Sequence, residues 1–337
     1  MSEQPESTAY ADRPIRWGII GAGGIATSFC DDLQLLDDHE VVAVGARSAG
    51  TSDAFASRFG ISRTHSSYAD LAADPLVDVV YVATPHPMHH DAAMLAIEAG
   101  KAVLVEKPFT MDAAQARSLV DAARARGTFL MEAMWTRFLP HIAAVRDVLA
   151  SGRLGDIVLV TAEHGQWFAE DPEFRLFAPG LGGGALLDLG IYPVSFASMV
   201  LGTPTRITTV SDPAFTGVDA QTSVILRDDA GRHAVLTTTL AAATPNGAAI
   251  SGTEARLEIE PTFYRPTSFS IVGRDGDRER VEVPHVGNGL RHQAAEVGRC
   301  LRAGLTESPI LTLDETVSIM ETMDEIRRQI GLTYPGL

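Results

Sequence analysis

The chain has 337 residues, of which 45% are hydrophobic and 21% are charged, the balance of an ordinary globular protein. Its 27 basic and 43 acidic side chains leave a net charge of -16, which argues against binding to nucleic acid or to an anionic membrane surface. This length predicts two domains.

The cysteines and the N-terminus predict a cytoplasmic protein. Cys30 and Cys300 show no disulfide or metal-ligand spacing, so we interpret them as reduced thiols. No apolar run approaches the roughly 18 residues of a membrane span. Residues 1–14 are polar and acidic, unlike a signal peptide, and we expect them to form a flexible tail.

From residue 15 to residue 134, short apolar runs alternate with segments that carry apolar residues at helical spacing. Gly100 and Gly127 stand where two of these helices should end. Strands that alternate with helices form a parallel sheet covered on both faces, so this region predicts a doubly wound α/β domain. The predicted strands are 15–20, 41–46, 77–83, 102–106 and 128–131.

A different pattern begins near residue 135 and predicts a second domain, residues 135–337. After a helix at about 140–151, seven short runs rich in Thr, Val and Ile follow with few helices between them. This pattern indicates a mostly antiparallel sheet. With two final helices, at about 288–303 and 313–330, it predicts an α+β domain built on a large open sheet.

The segment "IRWGIIGAGGIATSF" places glycines between the first predicted strand and the first predicted helix. The spacing Gly21-x-Gly23-x-x-Ala26 fits the dinucleotide-binding fingerprint of a Rossmann domain. Gly21 would permit a tight turn and Gly23 the close approach of a pyrophosphate, which the helix N-terminus would attract. The alternative is an ordinary glycine-rich turn.

The end of the second strand, "VVAVGARSAG", indicates which dinucleotide is bound. An enzyme that uses NAD is expected to have Asp or Glu there for the ribose 2′-hydroxyl. This chain has Arg47 and Ser48 instead, which suit a 2′-phosphate. The pattern therefore favours NADP over NAD, unless Arg47 is only a solvated loop residue.

The segment "AVLVEKPFT" ends a buried strand with a lysine. Lys107 lies at the carboxyl end of a parallel strand, the edge of the sheet at which ligands bind. Pro108 fixes the turn that follows. A catalytic role for Lys107 competes with a simpler one, in which it reaches the rim and pairs with Glu106.

The segment "GGGALLDLGIY" leads into a helix with two polar side chains on one side. Asp188 and Tyr192 have the i, i+4 spacing of neighbours on a helix face. Gly190 between them would leave room for a ligand or another backbone. The alternative is a capped helix with an incidental polar pair.

Together these motifs resemble the glucose–fructose oxidoreductase/inositol dehydrogenase (Gfo/Idh/MocA) superfamily over about residues 15–200. The segment "EAMWTRFLP", residues 132–140, is similar to the branch of dimeric dihydrodiol dehydrogenases and NADP-dependent D-xylose dehydrogenases. The resemblance implies that Lys107 and Tyr192 are catalytic partners, and tyrosine at 192 supports the branch because many relatives have histidine there. Asp188 would orient Lys107 or a substrate hydroxyl.

The motifs and the resemblance together indicate which residues bind the cofactor and the substrate. Aromatic walls with an arginine suit a sugar ring and an aromatic diol equally. The competing roles are packing beneath a loop for Trp167 and Phe168, a structural ion pair for Arg175 and a surface position for His89. The expected cofactor-binding residues are Gly21, Gly23, Gly24, Ile25, Ala26, Arg47, Ser48, Thr84, Pro85, His86, His89, Glu106 and Lys107, and the expected substrate-binding residues are Trp135, Arg137, Trp167, Phe168 and Arg175.

The expected chemistry joins a proton transfer to a hydride transfer between NADP and a hydroxyl carbon of a sugar or cyclic diol. Tyr192 would be the general base, although the ordinary pKa of tyrosine, near 10, is too high unless a neighbouring ammonium favours the phenolate. Lys107 would supply that charge and stabilise the developing alkoxide. Two alternatives stay open: an NAD-dependent polyol or inositol dehydrogenase, and a regulator that binds NADP or a sugar without turnover.

The predicted partners are a small hydroxylated substrate and a second copy of the chain. The branch resemblance implies that the open sheet pairs with its copy in a two-fold homodimer. No compact metal-ligand motif such as H-E-x-x-H occurs, so no metal is predicted. We also expect no nucleic acid or membrane partner.

Overall fold

A computed structural model describes Tyr10 and residues 13–337. Most of the predicted tail, residues 1–14, therefore lies outside the described residues. The described chain folds into two compact units. The first contains residues 13–109, Gln115–Ala133 and Leu290–Leu313, and the second contains Thr110–Ala114, Met134–Gly289 and Asp314–Leu337.

The helices and strands of the described residues are numbered in chain order. The helices are α1 (Gly24–Leu33), α2 (Ala49–Phe59), α3 (Tyr68–Ala72), α4 (His89–Glu98), α5 (Ala113–Arg126), α6 (Pro140–Ala150), α7 (Ile191–Leu201), α8 (Arg291–Arg302) and α9 (Leu313–Ile330). The strands are β1 (Ile15–Ile20), β2 (His39–Gly45), β3 (Arg63–His65), β4 (Val79–Val82), β5 (Ala102–Glu106), β6 (Leu130–Ala133), β7 (Ile157–Gly165), β8 (Arg206–Pro213), β9 (Asp219–Arg227), β10 (His233–Thr239), β11 (Ala248–Gly252), β12 (Ala255–Ile259), β13 (Phe269–Gly273) and β14 (Arg278–Val281).

The first unit contains the predicted parallel sheet. Its six strands follow the order β3-β2-β1-β4-β5-β6, and every neighbouring pair is parallel. This confirms the doubly wound α/β domain. The strand order reverses between β1 and β4, and in such sheets the carboxyl edge at this reversal is where ligands bind. The short edge strand β3 was not predicted.

Aromatic residues fill the core of the first unit beneath this edge. Trp17, Phe29 and Tyr81 are completely buried, and the rings of Phe29 and Tyr81 stack with centroids 4.0 Å apart. The Tyr81 hydroxyl donates a hydrogen bond to the carboxylate of Glu106 at the end of β5. The core therefore reaches the carboxyl edge and fixes the residue before Lys107.

Helix α8 belongs to the first unit, although its sequence position suggested the second domain. The backbone N–H of Leu290 donates to the buried carboxylate of Asp32 in α1, over 2.7 Å. The N–H of Leu130 in β6 donates to the carbonyl of Thr306, just after α8. The chain thus returns to the first unit after the second sheet, which chain order alone does not reveal.

The second unit is built on an eight-stranded sheet of order β14-β13-β12-β11-β7-β10-β9-β8. All neighbouring strands are antiparallel except β7 and β10, which are parallel. This confirms the predicted mostly antiparallel sheet. One face packs inside the unit, and the other exposes aliphatic side chains, among them Val210 (70%), Ile225 (47%) and Val235 (40%).

The segment that leads into α7 is unusually apolar. Pro179–Leu201 is long and apolar enough to cross a membrane by length and composition, but 83% of its most apolar window is buried inside the protein. This segment includes a π-helical turn, Leu186–Gly190, followed directly by α7. It forms part of the core of the second unit and carries Asp188 and Tyr192.

Candidate active site

The glycine turn after β1 has the geometry that its sequence predicts. Gly21 has a φ of +97°, and a Cβ there would lie 2.6 Å from the carbonyl oxygen of Ala83, at the end of β4. Glycine is therefore required at this position. Gly23 precedes α1 without a side-chain cap, and a Cβ at Gly23 or Gly24 would have no heavy atom within 4 Å.

The turn borders a cleft that fits a dinucleotide. The cleft has a volume of about 550 Å³ and includes residues at the ends of β1, β2 and β4. The buried hydroxyl of Thr84 in its wall has no hydrogen-bond partner among the described residues. The uncapped N-terminus of α1 supplies backbone donors for a phosphate. The lining residues are Gly21, Ala22, Gly23, Ala46, Arg47, Ser48, Thr51, Tyr68, Ala83, Thr84 and Pro85.

Arg47 and Ser48 occupy the end of this cleft beyond β2. Both are exposed, and the Ser48 hydroxyl caps α2 by accepting a 3.4 Å hydrogen bond from the Thr51 N–H. The Ser48 and Thr51 hydroxyl oxygens are 2.8 Å apart. A guanidinium, two hydroxyls and a helix N-terminus thus border one end of the cleft, a combination suited to an anion.

Other predicted cofactor residues divide between the cleft and its support. Ile25 is 39% exposed at the start of α1, whereas Ala26 is completely buried behind it. His86 is buried in the short turn before α4, and Pro85 lines the cleft.

His89 supports the loop that carries Lys107. The His89 ring is fully buried, with Nδ1 2.8 Å from the carbonyl oxygen of Pro108 and Nε2 2.9 Å from that of Thr84. Burial lowers the pKa of His89 to about 4, while the two carbonyl contacts act in the opposite direction. His89 therefore connects the loop after β4 to the turn after β5, and it is neither on the surface nor in the wall of the cleft.

In the second unit, rings surround the hydroxyl-bearing side chain of Tyr192. Tyr192 is 7% exposed, and its hydroxyl oxygen accepts a hydrogen bond from the indole N–H of Trp135 over 2.9 Å. The rings of His164 and Tyr264 lie 5.2 and 5.0 Å from the Tyr192 ring, and they stack on each other at 4.0 Å. The side chain is thus held from several sides.

Asp188 and Arg175 form a two-pronged ion pair. The Nη1 and Nη2 atoms of Arg175 donate to Oδ1 and Oδ2 of Asp188 over 2.9 and 3.0 Å. The Asp188 side chain is buried, whereas that of Arg175 is half exposed. Arg175 thus forms the structural ion pair that was the alternative to substrate binding, and this pair orients the Asp188 carboxylate.

The three glycines before Asp188 allow a buried carboxylate to approach the backbone. Gly184 has a φ of +111°, and a Cβ there would collide with an oxygen of Asp219. Oδ2 of Asp219 accepts hydrogen bonds from the Leu186 N–H and the Thr222 hydroxyl, over 2.8 and 2.9 Å. Burial raises the pKa of Asp219 to about 7. Asp219 therefore anchors the start of the segment that carries Asp188 and Tyr192.

The remaining predicted substrate residues have different surroundings. The guanidinium of Arg137 is buried and pairs with Glu315, while it also donates to the Ser195 carbonyl in α7. Phe168 has the packing role that was the alternative to substrate binding. It packs against the cluster of Leu176, Phe177, Ala185, Leu189 and Leu240. Trp167 is 65% exposed. The space beside Gly190 is occupied by the Leu186 and Thr238 side chains.

Several residues at the two sites were not predicted. Thr51 and Tyr68 line the cleft, and the available signal for Thr51 was the serine N-cap, Ser48, which places Thr51 in the first turn of α2. His164 and Tyr264 lie beside Tyr192, but neither belongs to a motif, and the two are 100 residues apart in the chain. Among the described residues, no group of three or more His, Cys, Asp or Glu side chains could hold a metal ion.

Comparisons with known proteins assign this architecture to a family. The family model described as the oxidoreductase family with an NAD-binding Rossmann fold matches residues 15–134. The model of the GFO/IDH/MocA C-terminal domain matches residues 142–258. The chain belongs to the Gfo/Idh/MocA oxidoreductase family. It is an NAD(P)-dependent dehydrogenase that acts on CH–OH groups, and its cofactor is NAD or NADP.

Relatives are similar over nearly the whole chain. The trans-1,2-dihydrobenzene-1,2-diol dehydrogenase of Mus musculus is 41% identical over 333 residues, which cover 95% of this chain and 98% of the relative. The enzyme of the same name from Homo sapiens is 40% identical over 330 residues, with the same coverage.

Solved structures share the fold. KijD10, a 3-ketoreductase from Actinomadura kijaniata in complex with NADP and TDP-benzene, has a TM-score of 0.83 and 29% identity, covering 94% of this chain and 98% of its own. The aldose-aldose oxidoreductase of Caulobacter crescentus has a TM-score of 0.86 with 24% identity, covering 94% and 97%.

We predict that Gly23→Ala weakens dinucleotide binding about tenfold or more without loss of stability. A methyl group there meets no protein atom within 4 Å, but it obstructs close approach of the pyrophosphate. Titration with reduced dinucleotide and thermal melting measure the two effects. Gly180→Ala, where a Cβ also meets no atom within 4 Å, is the matched control. Gly21→Ala should instead lower the melting temperature. Unchanged affinity in Gly23→Ala would contradict the assigned cradle.

Proposed function

We propose that the chain is an NADP-dependent dehydrogenase that transfers a hydride between the nicotinamide and a hydroxyl carbon of a cyclic diol or a sugar. The surroundings of Tyr192 are the observation that carries this proposal. A phenol surrounded by the rings of Trp135, His164 and Tyr264 suits a hydroxylated ring, because aromatic walls bind its faces while one polar group contacts its hydroxyl. Relatives of about 40% identity named dihydrodiol dehydrogenases support the same substrate class.

Two side chains have different roles in the proposed reaction: one transfers the proton, and the other stabilises negative charge. Tyr192 accepts the proton of the substrate hydroxyl during oxidation and returns it during reduction. The Lys107 ammonium, at the carboxyl end of β5, favours the phenolate form of Tyr192 and stabilises the developing alkoxide. NADP, when bound, supplies the hydride acceptor. Asp188 orients the polar groups around the substrate and is itself held by Arg175.

The supports of Lys107 fit this role. Glu106 accepts the Tyr81 hydroxyl and also the backbone N–H of Lys107, the latter over 3.2 Å. His89 contacts the carbonyl of Pro108 on the other side of the lysine. The backbone that bears the ammonium is therefore fixed from both directions, as electrostatic stabilisation of an alkoxide requires.

Turnover is tested with NADP and a panel of cyclic diols, pentoses, hexoses and inositols, followed through the absorbance of reduced nicotinamide. We expect oxidation of one class, and Lys107→Met should lower kcat by about 100-fold or more. The affinity of that variant for NADP should stay within about threefold of the wild type, because the Lys107 charge stabilises the reacting oxygens and not the bound cofactor. Lys101→Met, at a different lysine that donates to the Asp74 and Val77 carbonyls, is the matched control. Tight NADP binding without turnover on any substrate would favour a regulator.

Arg47 is proposed to bind the 2′-phosphate of NADP. Arg47→Ala should weaken the binding of NADP by about 1.5–3 kcal/mol, because a charge-assisted hydrogen bond is lost. The binding of NAD should stay almost unchanged. Parallel titrations with the two dinucleotides measure the difference. Arg58→Ala removes an exposed arginine at the other end of α2 and serves as the control. Equal losses for NADP and NAD would show that Arg47 does not recognise the phosphate.

We also propose a homodimer formed through the exposed face of the second sheet. An uncharged row crosses this face from the edge strand β8 to β7, with neighbouring residues on adjacent strands: Thr208, Ile225, Val235 and Thr161. Ile225→Glu should therefore yield monomers in light scattering after gel filtration. Val286→Glu, at a loop side chain that is 62% exposed, should leave the dimer intact. A monomeric wild-type chain would contradict this proposal.

The proposed location is the cytoplasm. Cys30 and Cys300 are buried thiols that form no disulfide. Burial raises the pKa of each to about 12, which disfavours the reactive thiolate. Such cysteines suit a reducing compartment. Cell fractionation tests the assignment, and recovery outside the cytoplasm would overturn it.

A further inference from the structure

The hydrogen bond between Trp135 and Tyr192 joins an indole donor to the oxygen that the proposed mechanism uses as a base. The Nε1–H of Trp135 donates to the hydroxyl oxygen of Tyr192 over 2.9 Å. An indole N–H can only donate, so it cannot compete with Tyr192 for a proton. A permanent donor at this oxygen stabilises the ionised phenolate more than the neutral phenol, since hydrogen bonds to charged groups are the stronger ones.

The position of Trp135 is fixed by the residues that follow it. The Thr136 hydroxyl donates to the carbonyl of Tyr264 over 2.9 Å. The Arg137 guanidinium donates to the carbonyl of Ser195, three residues beyond Tyr192 in α7, over 3.0 Å. The turn that bears the indole is therefore attached both to the helix that bears Tyr192 and to the segment of Tyr264.

The position of Tyr192 is fixed independently. Tyr264 and His164 pack against its ring, and Gln166 Nε2 lies 3.1 Å from the Tyr264 hydroxyl and 2.9 Å from His164 Nε2. Donor and acceptor thus meet in a prepared arrangement, the condition under which a hydrogen bond contributes to catalysis.

We propose that Trp135 is a catalytic residue, whose indole N–H stabilises the phenolate of Tyr192 in the form that accepts the substrate proton. This inference rests on the proposed function of Tyr192. It assigns Trp135 a role beyond that of a wall of the substrate pocket. A wall residue contributes contact area and acts on KM, whereas a donor to the reacting oxygen acts on kcat and on its pH dependence.

The test is the pH profile of kcat for Trp135→Phe, which keeps an aromatic ring and removes the donor. We expect the limb that reports Tyr192 to move up by about one pH unit and kcat at neutral pH to fall about tenfold. The rate should recover in alkaline solution, where the phenolate forms without help, and KM should change less than threefold. Any effect of Trp167→Phe, the matched change at an exposed indole, should fall on KM and leave the limb in place.

Ultraviolet titration of tyrosinate in the absence of substrate provides a readout besides activity. The signal assigned to Tyr192, by its absence in Tyr192→Phe, should titrate at higher pH in Trp135→Phe than in the wild type. If Trp135→Phe fails to fold, Trp135→Leu replaces it. This variant also removes the donor and should show the same shift.

The outcomes separate the two hypotheses. An unmoved limb with a raised KM in Trp135→Phe would overturn the catalytic role of Trp135. Near-normal activity and an unchanged pH profile in Tyr192→Phe would overturn the proposed base itself. A shifted limb in Trp135→Phe together with loss of activity in Tyr192→Phe would support both.

Discussion

The first unit depends on one close backbone contact, between Gly21 and the carbonyl group of Ala83. It lies where the paired strands β1 and β4 end and the strand order reverses, and α1 begins directly at this edge of the sheet. Any side chain at residue 21 would separate them. The cleft, the exposed helix N-terminus and the nearby Lys107 loop all follow from an edge that permits backbone to touch backbone.

Much of the fold could be predicted because it is encoded locally. Strands β1 and β5 have the predicted bounds, since each is a buried apolar run followed by a turn signal. β3 was missed because a three-residue polar edge strand has no periodicity to detect. The assignment of α8 to the first unit depends on contacts such as that of Leu290 with Asp32, which are 258 residues apart.

Site residues could be predicted where they belong to a sequence motif. They could not be predicted where their role depends on contacts with residues distant in the chain. The glycine turn, Arg47 and Lys107 stand next to strands that could be recognised from sequence. Arg137 was expected to bind substrate, but its charge is paired with Glu315, 178 residues further along the chain. His164 and Tyr264 reach Tyr192 only through the pairing of distant strands and loops, which the sequence does not display.

Asp219 links the stability of the fold to proton uptake. Its pKa is about 7 in the folded chain, against about 3.9 for an aspartate in an unfolded one. Between these values the folded state holds a proton that the unfolded state has released. The stability due to this carboxyl is therefore complete below about pH 4 and is lost as the pH rises through about 7. The glycine turn before Asp188 is thus anchored by an acid whose burial favours the neutral form, and folding carries a proton into the protein.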